Sequence, residues 1–116
     1  MTAETQNGRE NAMPRFLLIA INGPTSGEGD EAAYNEWYNK VHAADLMSID
    51  GALSVRRFKI EAQNRIDKPY VNVTEVEGES AEAVMKELAE KASKFPSVID
   101  RTSSVFVLGR EITKDA

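Results

Sequence analysis

The stretch Tyr34-Asn35-Glu36-Trp37-Tyr38-Asn39-Lys40-Val41-His42-Ala43-Ala44-Asp45-Leu46 holds the only Trp, the only His and two of the three Tyr in the chain. Tyr34, Trp37, Tyr38, Val41 and Ala44 recur at helical spacing and form one apolar stripe, which predicts an amphipathic helix over about 31–47. Asp30 is the expected N-cap, with Glu31 adding favourable charge in the first turn. Asp50-Gly51 breaks the pattern with a turn. The β-forming run 52–60 follows it and carries Arg56 and Arg57.

Outward from this helix the remaining elements fall into place. Residues 15–21 read Arg-Phe-Leu-Leu-Ile-Ala-Ile, a nearly unbroken apolar run that predicts a central strand buried on both faces. The Gly- and Pro-rich residues 22–29 form the loop between that strand and the helix. The polar segment 63–68 connects to a third strand over 70–76, rich in β-formers. Ser80 is the expected N-cap of a second helix whose buried face is Val84, Met85, Leu88, Ala92 and Phe95, ended by Pro96. Glu82–Lys86, Glu87–Lys91 and Glu90–Lys94 are supportive i,i+4 pairs on its outer face. A fourth strand is expected over 102–108. Residues 14–112 make a single domain, with a flexible N-terminal tail over 1–13 and a C-terminal tail over 113–116.

The order β-α-β-β-α-β is the α+β, ferredoxin-like pattern: a four-stranded antiparallel sheet with two helices on one face. An apolar strand at the centre of a sheet with one bare face requires a second cover. A second copy of the chain, related by two-fold symmetry, is the simplest one, and the two sheets then leave room for a cavity.

Composition narrows the function classes. Cysteine is absent, so there is no disulfide framework and no thiolate nucleophile, as suits a reducing compartment. No run approaches the roughly 18 apolar residues of a membrane span, and the first residues lack the apolar core of a signal peptide. A cytoplasmic protein without a membrane partner is expected. The formal net charge of -5, with no basic run or stripe, argues against nucleic acid. Asn72-Val73-Thr74 matches a glycosylation acceptor, but inside a strand of an unsecreted protein it reads as chance.

Trp37, then Val41-His42-Ala43-Ala44-Asp45-Leu46, then Ile49-Asp50-Gly51, then Arg56-Arg57-Phe58, resembles the dimeric α/β-barrel superfamily in its EthD-like branch. That branch often shows a Trp, a following His and Asp, a Pro-Gly turn and an Arg-aromatic pair on strand two. Here Asp50 stands where Pro is common, and Asp-Gly keeps the turn. The loop over 22–29 is longer than the shortest relatives need and is a candidate lid or rim. The resemblance implies a homodimer with a small-molecule pocket in each subunit. Its relatives span polyketide cyclases, metal-free monooxygenases, muconolactone-type isomerases, haem-containing aldoxime dehydratases and proteins of no known activity, so fold alone does not choose the chemistry.

The residues offer a short set of candidates. His42 titrates in the range that suits proton transfer near neutral pH; alternatively it caps the strand-two turn, since it lies beside the apolar stripe and not at its centre. Asp45, three residues on, shares its helical face and could orient the imidazole, or could pair with an arginine near the helix end. Arg56 and Arg57 point to opposite faces of strand two. One of them could meet a carboxylate, phenolate or enolate in the cavity; a surface ion pair is the plainer fate of each. Tyr34, Trp37 and Tyr38 are candidate aromatic walls or plain core. Tyr70 and Asn72 are candidate polar contacts, and Phe16, Leu18, Phe106 and Leu108 candidate apolar walls. Neither a dinucleotide-binding Gly fingerprint nor a metal-ligand spacing is present. The lone His42 has no feature that singles out haem, so no cofactor is expected. Taken together, the residues point to proton transfer without a cofactor, and the resemblance implies a lyase, isomerase or cyclase acting on a hydrophobic aromatic or polyketide-like compound. The alternative is a non-catalytic small-molecule-binding or accessory homodimer.

Overall fold

The computed structural model describes residues 13–92 and 94–113. The expected tails therefore lie, apart from Met13 and Thr113, outside the described residues. The elements are β1 (Arg15–Asn22), α1 (Asp30–Trp37), a π-helical segment (Tyr38–His42), α2 (Ala43–Met47), β2 (Ala52–Lys59), β3 (Tyr70–Glu77), α3 (Ala81–Lys91) and β4 (Val105–Arg110). The four strands form one antiparallel sheet in the order β2-β3-β1-β4. This is the β-α-β-β-α-β, ferredoxin-like arrangement that the pattern predicts. No helix among the described residues is long and apolar enough to cross a membrane.

Strand register separates two faces. Phe16, Leu18, Ala20 and Asn22 of β1 lie level with Val76, Thr74, Asn72 and Tyr70 of β3. Because side chains alternate along a strand, these residues share the face that carries the helices. The main core joins Phe16, Leu18 and Val76 of this face to Leu46 and Ile49 after the first helical stretch and to Val84 of α3. A second cluster joins Tyr34 and Tyr38 to Ile99, with Trp37, Tyr70 and Val98 packed against it. The opposite face presents Leu17, Ile19 and Ile21 of β1, flanked by Val71 and Val73 of β3 and by Val105 and Val107 of β4. Leu17 is 39% exposed and Val107 59%, so this face is apolar and, among the described residues, uncovered.

The first helical stretch differs from its predicted phase in an informative way. The periodicity puts Val41 and Ala44 in the buried stripe and His42 beside it. In the structure Val41 is 38% exposed, Ala44 is exposed and His42 is only 6% exposed. The cause is the π-helical turn, in which the Ala43 N–H donates to the Tyr38 carbonyl five residues back. Tyr34, Tyr38, His42 and Leu46 are spaced by four and all are buried. In an uninterrupted α-helix each four-residue step overshoots a full turn by about 40°. One widened turn absorbs that drift and keeps all four side chains pointing at the sheet.

Three boundaries also move. Gly29, in the left-handed region at φ 81°, is the N-cap of α1, and Asp30 is the first helical residue. The Asp30 carboxylate instead ties the preceding loop, accepting from the Gly27 N–H at 2.9 Å and from the Thr25 hydroxyl. α3 ends at Lys91, with Ala92 already extended, which frees Phe95 from the helix. β4 begins at Val105 and not at Thr102, because Asp100 gathers the intervening residues into a turn. Its carboxylate accepts from the Thr102 N–H and hydroxyl and from the Ser103 hydroxyl. Ser80 caps α3 as expected, its hydroxyl accepting from the Ala83 N–H at 3.1 Å, a contact worth about 1 kcal/mol. Glu87 pairs with Lys91 at 3.1 Å and accepts the Asp50 N–H at 2.8 Å, which ties α3 to the turn before β2.

That turn depends on Gly51. Its φ is 84°, and a Cβ there would lie 2.0 Å from the Glu77 carbonyl oxygen. Gly29 has a similar φ but open space around it. Gly29→Ala should cost about 1–2 kcal/mol, the left-handed penalty alone. Gly51→Ala should cost more than ~2 kcal/mol, since β2 and β3 must also part. Urea unfolding of the two variants measures the difference; equal costs would show that the close approach to Glu77 is not limiting.

Candidate functional site

Between the helix face of the sheet and α3 lies a cavity of about 350 Å³, within the size range of small-molecule sites. β1 supplies Leu18, Ala20 and Asn22 to its wall, and β4 supplies Val105 and Phe106. The unwound helical stretch contributes Tyr38, His42 and Leu46. Met85, Leu88 and Ala89 of α3 close it from above, and Ala92, Phe95, Ile99, Arg101 and Ser104 complete the rim. The wall is mostly aliphatic and aromatic, so the polar atoms that reach it stand out.

Among the described residues two of these atoms are buried without a hydrogen-bond partner: Nδ1 of His42 and Nδ2 of Asn72. An unpaired buried polar group is costly, on the order of 1–3 kcal/mol, and such groups are uncommon in folded proteins. Both residues line the cavity. The other end of the Asn72 amide is fixed, since its Oδ1 accepts from the Thr74 hydroxyl at 3.0 Å, so the free NH2 is a donor held in a set orientation. The His42 ring is clamped by aromatic neighbours. Trp37 stacks on it at 4.8 Å and 14°, while Tyr38 and Phe95 meet it edge-on at 5.0 and 5.4 Å. Asn22 is a third buried polar residue in the wall, and its Oδ1 accepts the Tyr34 hydroxyl. Burial pushes the Tyr38 phenol up from its ordinary value, against a hydrogen bond with Asn22 and the charge of Arg57.

Arg57 lies on the helix face of β2 but outside the cavity wall, behind the tyrosines. Its guanidinium donates to Asn39 Oδ1 at 2.7 Å and Asn35 Oδ1 at 2.9 Å. It sits 4.5 Å from the Tyr38 ring centroid, 5.3 Å from Tyr70 and 5.6 Å from Tyr34. Tyr70 is held in the same group by its hydroxyl, which donates to the Glu31 carboxylate. Each cation–ring contact of this kind contributes on the order of 1 kcal/mol, so the cluster fastens α1 to the sheet. Arg56 is on the bare face, 5.2 Å over Phe58.

Of the residues that the sequence singles out, the structure therefore brings His42, Tyr38, Asn72, Leu18 and Phe106 to one cavity. Trp37 backs His42. Phe16 and Leu108 belong to the core beside it. Asp45 is absent from the wall and acts on His42 through space, its charge favouring the imidazolium. Asn22 and Arg101 are lining residues that the sequence reading passed over. Asn22 did carry a signal: a polar residue in the same strand parity as Phe16 and Leu18. Arg101 carried none, because it lies in the stretch between Pro96 and the strand expected over 102–108, to which no element or role attaches.

The arrangement offers an imidazole and an amide donor in a mostly apolar pocket, which suits binding of an oxygen atom and movement of a proton at it. Burial holds the His42 pKa below its ordinary value of 6.5, with Asp45 pulling the other way. The unfolded chain thus takes up the proton first as pH falls. This contribution to stability is full above 6.5 and is lost as the pH drops through 6.5 toward the folded value. NMR of the single imidazole should give a folded-state pKa below 6.5 that falls further in Asp45→Asn; a value above 6.5 would contradict a buried neutral ring.

No family model and no curated protein matches the sequence. Among solved structures the chain is similar to the crystal structure of an EthD family protein from Bacillus halodurans C-125. The TM-score is 0.56 at 17% identity, over 84% of this chain and 98% of that one. Together with the strand order and the two helices on one face, this likeness shows the α+β, ferredoxin-like fold that this chain shares with that EthD family protein.

Proposed function

We propose that this chain is a cofactor-independent homodimeric enzyme of the cytoplasm, of lyase, isomerase or cyclase type. It moves a proton on a hydrophobic, aromatic or polyketide-like compound bound in the cavity. The observation that carries this reading is the pair of unpartnered buried atoms, His42 Nδ1 and Asn72 Nδ2, in an otherwise apolar wall. A ligand oxygen satisfies the Asn72 donor, and the neutral imidazole then stands beside an activated carbon acid.

In the proposed step His42 takes a proton from the carbon next to a ligand carbonyl. The C–H electron pair moves onto the carbonyl oxygen, giving an enolate that Asn72 stabilises by a hydrogen bond, with the Tyr38 hydroxyl as a second donor in the same wall. The imidazolium, favoured by the Asp45 charge, returns the proton to a different carbon or to the leaving group. Burial keeps His42 neutral near pH 7, the form a base requires. The second reading, a non-catalytic binding protein, draws on the fact that no carboxylate is among the described cavity-lining residues, so among them His42 has no relay partner inside the site.

The exposed apolar face supports the dimer. Leu17, Val105 and Val107 are exposed there, and a two-fold copy covers them at once. Sedimentation at micromolar concentration should give a dimer, and Val107→Asp, which buries a charge in the interface, should give a folded monomer. A wild-type monomer would remove this part of the proposal.

Catalysis is tested with 2-tetralone, an enolisable aromatic ketone. In D2O the protein should accelerate exchange of its α-protons, and His42→Gln should lower that rate about 100-fold or more. Binding without accelerated exchange would favour the accessory reading; neither binding nor exchange would count against the cavity as a site for such compounds.

A further inference from the structure

The cavity has an electrostatic asymmetry. The chain is acidic, with 19 Asp and Glu and a net charge of -5. Yet among the described residues the cavity wall contains no carboxylate, and its one permanently charged residue is Arg101. Arg101 is exposed, so it stands at the rim while His42 and Asn72 lie deep.

The rim cation is held in place by the turn that delays β4. Asp100 N–H donates to the Gly23 carbonyl at 2.9 Å, and Thr25 N–H to the Val98 carbonyl at 2.7 Å, which docks 98–100 on the loop after β1. The neighbouring Asp100 carboxylate is occupied by Thr102, Ser103 and, at 3.7 Å, Lys68. The Arg101 guanidinium lies 6.0 Å over the Phe95 ring, and the same ring meets His42 at 5.4 Å. Rim cation and deep polar centre thus flank one phenyl wall.

We propose that the cavity takes an apolar carboxylic acid, its carboxylate on Arg101 at the rim and a hydroxyl or carbonyl oxygen at His42 and Asn72. This rests on the reading of the cavity as a ligand site and adds the ligand's class. A planar guanidinium pairs with a carboxylate through two parallel hydrogen bonds, and a wall free of acids imposes no repulsion on an anion. The apolar body between the two oxygens matches Leu18, Leu88, Phe95 and Phe106.

The test compares three bicyclic probes by isothermal calorimetry at pH 7.5: 6-hydroxy-2-naphthoate, whose hydroxyl and carboxylate lie at opposite ends of the ring system, its primary amide and 2-naphthol. In wild type the acid should bind about tenfold tighter than the amide, the usual scale of a charge-assisted contact at a partly exposed site. Arg101→Met should erase that preference while still binding 2-naphthol, which also shows that the variant folds. Arg101→Lys should restore part of the preference. Equal binding of acid and amide, or a preference that survives Arg101→Met, overturns the inference while 2-naphthol binding keeps the cavity reading. If none of the three probes binds, the cavity reading falls and the inference with it.

Discussion

The widened helical turn at Tyr38–His42 is the constraint on which the site depends. A four-residue spacing of Tyr34, Tyr38, His42 and Leu46 is slightly too long for an α-helix, and the π turn reconciles it with a flat sheet below. Without it the drift would carry His42 toward solvent and bring Val41 inward. The turn therefore decides that the buried side chain at this level is an imidazole and not an isopropyl group. π turns are often found where a protein needs a side chain at an unusual angle, and here that side chain is the only histidine of the chain.

The same four residues divide the space under the helix into two compartments with different physics. On one side Arg57 is enclosed by three tyrosine rings and two asparagine oxygens, a saturated cluster whose effect is to fasten the helix to β2 and β3. On the other side His42 and Asn72 present unsatisfied atoms to an apolar cavity. Tyr38 is the wall between them. Its ring covers Arg57, and burial keeps its phenol protonated and able to donate. One compartment stabilises and the other binds, and the protein separates them by one aromatic ring.

Much of the fold was legible in the sequence because it is written in short-range patterns. Alternation and apolar runs gave β1, β2 and β3 to within about a residue, and Ser80 announced the start of α3. The misplaced boundaries share a cause: a local pattern was overridden by a contact with a distant segment. Asp100 holds Thr102 and Ser103 out of β4, Ala92 leaves the helix early, and Phe95 packs on Trp37 and His42 instead. The site was legible in part. Rarity marked His42, and a shared strand face marked Tyr70 and Asn72 as candidate polar contacts, but the separation of Arg56 from Arg57 depended on a register that passes through an irregularity between Ala52 and Ser54.

By itself the sequence determined the element order, the ferredoxin-like pairing and the need to cover an apolar sheet face, since each follows from period and composition along the chain. Tertiary structure alone decided that His42 points inward, that Arg57 is spent on tyrosines, and that Arg101 rather than an acid stands at the cavity rim. Those outcomes depend on helix phase, strand register and a side-chain-held turn, each of which is set by the summed contacts of residues far apart in the chain and leaves no mark on local spacing.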